Sequence, residues 1–359
     1  MTRLNKLHET MIANNVDLVA LGPGAHMQWL LGFHPHADER PCLICISTTS
    51  AAFLMPALNA DGTRTKTDLP FYKWSDADGP DQAFGKLLEE LEIPDNCRVV
   101  LDETMRADFA ALVQDARPNA KRNFTAKTVG SLRMRKDDME FQTLRENATI
   151  ADQAMKAGWA DMHAGMSELD VAGVIRSKFS DLGAKPLFSI VGAGGNGAFP
   201  HHQTGDRVLR DGDAVVMDIG GGQNGYSSDI TRMAVIGRPP EGYEMVHAVV
   251  EAAVQAAMRA ARPGVQAKVV DAAARDVIAD AGYGEYFVHR TGHGMGVEVH
   301  EQPYLTSVSE TVLETGMVFS IEPGIYLPGR FGIRLEDIVI LREDGPEIFS
   351  DLPRDLTVI

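Results

Sequence analysis

The stretch Ala214-Val215-Val216-Met217-Asp218-Ile219-Gly220-Gly221-Gly222-Gln223-Asn224-Gly225, continuing through Tyr226 to Val235, decides how the second part of this chain folds. Two apolar, β-branched runs separated by glycine and asparagine read as a β-hairpin. A turn centred on Gln223 and Asn224 sets Asp218 opposite Asp229, with their Cβ atoms about 5 Å apart. Two ionised aspartates at that distance repel, so something positive belongs between them. A single acidic residue is ordinarily a solvated surface charge. The apolar neighbours of these two argue otherwise, because buried charges are paired or metal-bound.

A second hairpin repeats the pattern. Val318 to Glu322 carries one acid and Ile333-Arg334-Leu335-Glu336-Asp337-Ile338 another, with a Pro328-Gly329 turn midway. Between the hairpins lies His289-Arg290-Thr291-Gly292-His293-Gly294-Met295-Gly296-Val297-Glu298-Val299-His300-Glu301, where glycines crowd His293 and let the backbone approach closely. Asp218, Asp229, His293, Glu322 and Glu336 form the candidate metal-ligand set. Four carboxylates converging on one pocket would be driven to protonate, and two divalent cations remove that conflict. Oxygen-rich ligation with one nitrogen suits manganese, cobalt or zinc and disfavours copper and iron–sulfur sites. The expected chemistry is two-metal hydrolysis. His300, and His201 in the loop before the first hairpin, are candidate proton shuttles or donors to a developing oxyanion. Chemistry alone does not separate His201 from the adjacent His202.

The whole chain frames this reading. Its 359 residues suggest two domains. A formal net charge of -16 and a pI near 5.1 disfavour nucleic acid and acidic membranes as partners. Cys42 and Cys45 have C-x-x-C spacing, but no second pair follows and Leu43-Ile44 between them reads as a buried strand. Free thiols and a cytoplasmic location are expected. The opening residues have no apolar signal-peptide core, and no run reaches the ~18 apolar residues of a membrane span. Residues 1–128 read as an α/β domain, with helices near Leu4–Ile12, Gln82–Leu91 and Arg106–Gln114 and strands at Asp17–Leu21, Pro41–Ser47 and Arg98–Leu101. Charged residues from Ser131 to Asp138 open residues 129–359 as a second domain. Its helices run from an aspartate start towards Met162, from Ser167 to Leu182 with a Ser167/Asp170 capping pair, and from Glu241 to Ala261, with strands over the rest.

The order Asp, ten residues, Asp, then Gly-His-Gly-Met-Gly, Val-His-Glu, Ile-Glu-Pro-Gly and Arg-Leu-Glu-Asp resembles the pita-bread metallopeptidases: prolidase, aminopeptidase P and methionine aminopeptidase. The resemblance spans essentially the whole chain, and the first domain with its Gly32-Phe33 segment is similar to the creatinase/prolidase accessory domain. It implies an α/β N-terminal domain before an α+β pita-bread catalytic domain. It also implies that Asp218 and Asp229 chelate one metal, that His293 and Glu322 hold the other, and that Asp229 and Glu336 bridge them. His201, His289 and His300 would lie beside the ligands or against the substrate, and Arg334 would orient the acids as an ion-pair partner. The implied enzyme is a dinuclear Xaa-Pro dipeptidase working on small peptides, as a homodimer, with Mn2+ before Co2+ or Zn2+. A hydroxide shared by the metals would attack the amide bond preceding proline, with Glu322 taking the proton.

A dipeptide presents a free carboxylate, for which some prolidases carry an arginine shortly after the motif histidine. Gln302-Pro303-Tyr304 offers none, leaving Arg290, Arg330, His36 or Arg40 as substitutes. Xaa-Pro aminopeptidase activity, or hydrolysis of a related amide such as ectoine, are alternatives. A carbon–sulfur lyase or a ligand-binding protein on the same scaffold is an alternative of another class. Metal-free amidinohydrolases and ligand-less binding modules of this fold predict gaps in the five-residue set, and none is present.

Overall fold

The computed structural model describes residues 2–359 and divides into two compact units, Met1–Arg133 and Met134–Ile359. In the first unit, strands Phe71–Trp74, Ala51–Pro56, Leu43–Ile46, Leu18–Leu21, Arg98–Leu101 and Lys121–Phe124 form one sheet in that spatial order. Helices Asp81–Glu90 and Ala107–Ala116 bury Phe84, Leu87, Phe109 and Val113 against it, as α/β patterning requires. All three cysteines are buried and free, and burial pushes the Cys42 thiol up to about 12. This unit ends at Arg133, inside helix Val129–Met134, where the charged run 131–138 begins.

The second unit is α+β. One sheet runs Thr357–Val358, Ile230–Val235, Ala214–Gln223, Lys185–Ala193, and the other runs Glu301–Leu305, Gly292–Gly294, Val318–Ile321, Asp337–Arg342, Gly345–Ile348. Helix Asp138–Asp161 starts on a capping box between Asp137 and Glu140, and helix Glu168–Asp181 on one between Ser167 and Asp170. Strand alternation sorts the core. Val215, Met217 and Ile219 pack with Val171, Ile175 and Phe179 of the second of these helices. Ala214 and Val216 point the other way, into the cluster that holds Phe319, Ile321 and Ile333. Asp218 shares their face, so the period of two alone aims it between the strand systems.

Two expectations are corrected. Residues 267–280, read as strand-rich, form helix Ala267–Asp280, whose Val270, Ala274 and Ile278 follow a four-residue spacing onto helix Tyr243–Ala260. The first hairpin is also in a different register. Its turn is Asn224-Gly225, both with positive φ, so Gln223 pairs with Tyr226 and Asp218 pairs with Thr231, not with Asp229. The slip is two residues, which keeps Asp229 on the same face as Asp218 but diagonal to it. Among the described residues no helix is long and apolar enough to cross a membrane.

Candidate metal centre

Asp218 lies within strand Ala214–Gln223, and the other three acids sit where strands are interrupted. Asp229 lies between Tyr226–Ser227 and Ile230–Val235, Glu322 between Val318–Ile321 and Gly324–Leu327, and Glu336 between Phe331–Arg334 and Asp337–Arg342. The backbone N–H of Glu322 donates to the Thr291 carbonyl and that of Glu336 to the Thr231 carbonyl, so each break is anchored to a neighbouring strand. His293 is held tightly. A Cβ on Gly292 would lie 1.9 Å from the Ser320 carbonyl oxygen, and one on Gly294 2.1 Å from that of Gln302. Those contacts require glycine on both sides of the histidine.

All five expected ligands come together. Asp218, Asp229 and Glu336 have carboxylate oxygens within 4.8 Å of one another, as do the ligand atoms of His293, Glu322 and Glu336. Glu336 therefore belongs to both groups. Three of the buried oxygens, Asp218 Oδ1, Asp229 Oδ1 and Glu336 Oε1, have no hydrogen-bond partner. Two of their companions are occupied: Asp218 Oδ2 accepts from Arg334, and Glu336 Oε2 accepts from Thr231 Oγ1 at 2.7 Å. Orphaned carboxylate oxygens that converge are costly without a cation. His293 Nδ1 donates to the Gly294 carbonyl at 3.1 Å, which turns Nε2 towards Glu322 Oε1 at 3.2 Å and Asp229 Oδ2 at 3.7 Å. In that tautomer an imidazole lone pair faces two carboxylates, an arrangement that calls for a proton or a cation between them. The donor set fits divalent metal ions.

Electrostatics point the same way. Burial above all, with Glu336, Asp218 and Glu322 nearby, holds the Asp229 carboxyl well above its ordinary value. Burial and then Glu322 and Asp218 do the same to Glu336. Asp218 is raised by burial against the pull of Arg334. Burial also works on Glu322, but with the proton that the facing lone pair calls for on His293 Nε2, the hydrogen bond and charge of that ring outweigh it and bring Glu322 down to about 2. The raised groups give the cation-free protein stability that is complete below the ordinary carboxylate range and is lost as pH rises through their folded-state values. Cations need the ionised forms, so their binding must release protons. The stabilisation conferred by divalent cation, read as a shift in melting temperature, is accordingly expected to grow from pH 5 to pH 8. A gain that is flat or shrinks with pH would count against this donor set.

Around the acids the arrangement is tied to Arg334. Its Nε donates to Thr231 Oγ1 at 3.1 Å and its Nη1 to the Tyr326 hydroxyl at 2.8 Å and the Pro200 carbonyl at 3.3 Å, besides the Asp218 contact. Tyr326 in turn meets His289 Nε2 at 2.7 Å, and His289 Nδ1 meets the Arg290 carbonyl at 2.7 Å. A carbonyl only accepts, so Nδ1 carries the proton and Tyr326 donates to Nε2. Burial lowers His289 to about 4 and pushes Tyr326 up to about 12, which keeps this chain in one protonation state near neutrality. The helix missing from the sequence reading sets this edge: buried Asp271 accepts from Thr291 N and Oγ1, while Arg275 donates to the His289 carbonyl.

His201 and His300 both line the cavity of about 630 Å3 that opens over the acids. The His300 ring packs against His293 with centroids 4.1 Å apart, and partial burial followed by the charge of His293 lowers it to about 4. His300 can also join Asp229 and His293 as a third ligand group. The neighbouring Glu301 is fixed by a buried ion pair with Lys136 at 2.6 Å. His202 turns away from the cavity to buried Glu168 at 2.8 Å, which leaves His201 as the member of the pair that faces it. Of the substitute cations, Arg290 lines the cavity with its guanidinium 4.6 Å over the Tyr304 ring. Arg330 is held on the Glu241 carbonyl. In the first unit, Arg40 is engaged by Asp76, Asp38 and Glu39. Tyr326, Thr231, Ser320 and Glu168 escaped the sequence reading, since each has a partner remote in the chain: His289 for Tyr326, Glu336 for Thr231, His293 N for Ser320 and His202 for Glu168.

Residues 142–343 match the model of metallopeptidase family M24, and residues 3–135 that of the creatinase/prolidase N-terminal domain. A probable dipeptidase, PepE, of Mycobacterium tuberculosis is 37% identical over 348 residues, 95% of this chain and 92% of its own. The Xaa-Pro dipeptidase of Pyrococcus horikoshii is 32% identical over 356 residues, covering 99% and 98% of the two chains. The crystal structure of dipeptidase PepE from Mycobacterium ulcerans superposes with a TM-score of 0.94 at 35% identity, over 99% of this chain and 97% of that one.

Proposed function

Because this chain belongs to metallopeptidase family M24, we propose that it hydrolyses the amide bond preceding proline in Xaa-Pro dipeptides and short peptides, with two divalent cations. The observation that carries the reading is the pair of ligand groups sharing Glu336, with converging carboxylate oxygens that lack any other partner. Asp218 and Asp229 would hold one cation and His293 and Glu322 the other, with Asp229 and Glu336 placed within reach of both ligand groups. We take Mn2+ as the working ion, with Co2+ and Zn2+ as alternatives. When bound, such cations supply a water acidified to near-neutral pKa and a polarised scissile carbonyl.

The chain's own residues do the rest. Glu322 accepts the proton of the attacking water. His300, neutral near pH 7, donates an N–H to the oxygen that becomes negative, and His201 positions the substrate from the facing wall. Arg334 and Tyr326 keep Asp218 and His289 in place. Arg290 forms no ion pair among the described residues, so its charge is available to the free carboxylate of a dipeptide, which supports the dipeptidase over the aminopeptidase reading. Relatives called dipeptidases support the same choice. A homodimer in the cytoplasm completes the proposal; free buried thiols suit that compartment, and sedimentation tests the assembly.

The decisive experiment loads the protein with Mn2+, Co2+ or Zn2+ and measures turnover of Xaa-Pro dipeptides, longer Xaa-Pro peptides and ectoine. Preference for dipeptides is expected. Cleavage of longer peptides alone would convert the assignment to aminopeptidase, cleavage of ectoine alone would remove the proline reading, and no cleavage would favour a lyase or binding protein. His300→Ala is expected to keep its metal and lose about 100- to 1000-fold in kcat. Loss of metal in that variant would instead make His300 a ligand.

A further inference from the structure

Glu168 is the first residue of helix Glu168–Asp181, and its side chain is 0% exposed. Its carboxylate accepts four hydrogen bonds, all from residues 193–205: Ala193 N at 2.8 Å, Asn196 Nδ2 at 2.9 Å, His202 Nε2 at 2.8 Å and Gly205 N at 3.3 Å. Backbone bonds reinforce the join, with Glu168 N donating to the Arg207 carbonyl and Leu169 N to that of Gly205. Burying a carboxylate costs several kcal/mol unless donors surround it. Here the donors come from both ends and the middle of the loop that carries Pro200 and His201 into the cavity wall. While His202 is drawn inward onto the carboxylate, the adjacent His201 lines the cavity that the metal ligands also line.

We infer that Glu168 is a positioning residue for the reaction, a clamp that fixes the loop 193–205 and through His202 sets the place of the His201 ring. The inference rests on the proposed role of His201 as a substrate-facing group. A carboxylate is required because it accepts at both oxygens, whereas an amide would turn one NH2 against donors. The clamp contains none of the five expected ligands, so its loss acts on orientation and not on cation content.

The test is a double-mutant cycle on the cation-loaded full chain with an Xaa-Pro dipeptide. Glu168→Gln is expected to lower kcat about 10- to 100-fold with metal content unchanged. In a His201→Ala background the same change is expected to cost less than about twofold. Losses that multiply in the double variant, or an unaltered kcat in Glu168→Gln, would overturn the inference. Should Glu168→Gln fail to fold, His202→Ala, which removes one donor, takes its place in the cycle with the same expected outcomes. Histidine-selective NMR of the Zn2+-loaded protein, with the His201 ring signal assigned by its loss in His201→Ala, gives a readout independent of substrate. The signal should move or broaden in the clamp variant, and an unmoved signal would refute the clamp even if the substrate proposal had failed.

Discussion

Asp229→Ala is expected to fold, to lose divalent cation, and to turn over Xaa-Pro dipeptides at least ~1000-fold more slowly than the parent chain. The size follows from what the ligand sustains: a pair of cations lowers the pKa of water from 15.7 to about 7, and most of that advantage disappears when a shared oxygen ligand is removed. Asp229 is central by geometry. Its carboxylate belongs with Asp218 and Glu336 and also faces His293 at 3.7 Å, so it touches both halves of the ligand set. Without cation the variant should be no less stable than the parent, because an orphaned buried oxygen and a charge repelled by Glu336 go with the side chain. Metal analysis, kcat and melting of both proteins after chelation check all three points. Retention of full activity would remove Asp229 from the site.

Arg334→Met should do the opposite to stability. Burial opposes the charge of this guanidinium, yet Tyr326, Asp218, Glu322 and Glu336 hold it protonated far above any working pH. Removing it leaves buried Asp218 without its counter-ion and Thr231, Tyr326 and Pro200 without a shared partner. Breaking a buried pair from one side costs about 3–5 kcal/mol. For a unit of this size that lowers the melting temperature by about 6–20 °C. The deficit should be greatest after chelation and partly restored by cation, which replaces the missing positive charge. A variant that melts like the parent with chelator present would show Arg334 to be dispensable to the acids.

The acid set was legible because charge in an apolar strand context is conspicuous: Asp218 follows Val215-Val216-Met217, and Glu322 follows Val318-Phe319-Ser320-Ile321. Register was not. Either Gln223-Asn224 or Asn224-Gly225 can centre the turn, and only the positive φ that Asn224 and Gly225 adopt together selects the second. The second hairpin kept its expected symmetry. Ile321 pairs with Asp337 and Gly324 with Arg334, which leaves Glu322 and Glu336 at matching positions in the intervening breaks. Helix Ala267–Asp280 was readable from Val270, Ala274 and Ile278, but the glycine-rich motifs after it drew the region towards strands. What one sequence withholds is the company of polar side chains. Thr231 meets Glu336 across 105 positions and Tyr226 meets Glu140 across 86, and nothing local announces either contact.

The Lys136–Glu301 pair carries a consequence for chains shortened from the front. Its lysine stands just beyond the divide at Arg133/Met134, where Lys136 N also donates to the Gly316 carbonyl and Arg135 bridges to Met317. A gene split that began the catalytic half at Met134 would keep this ion pair whole. One that began at Asp137 would remove the buried lysine whose charge faces the Glu301 carboxylate, one residue from His300, so a single residue decides whether a shortened chain keeps that charge balanced.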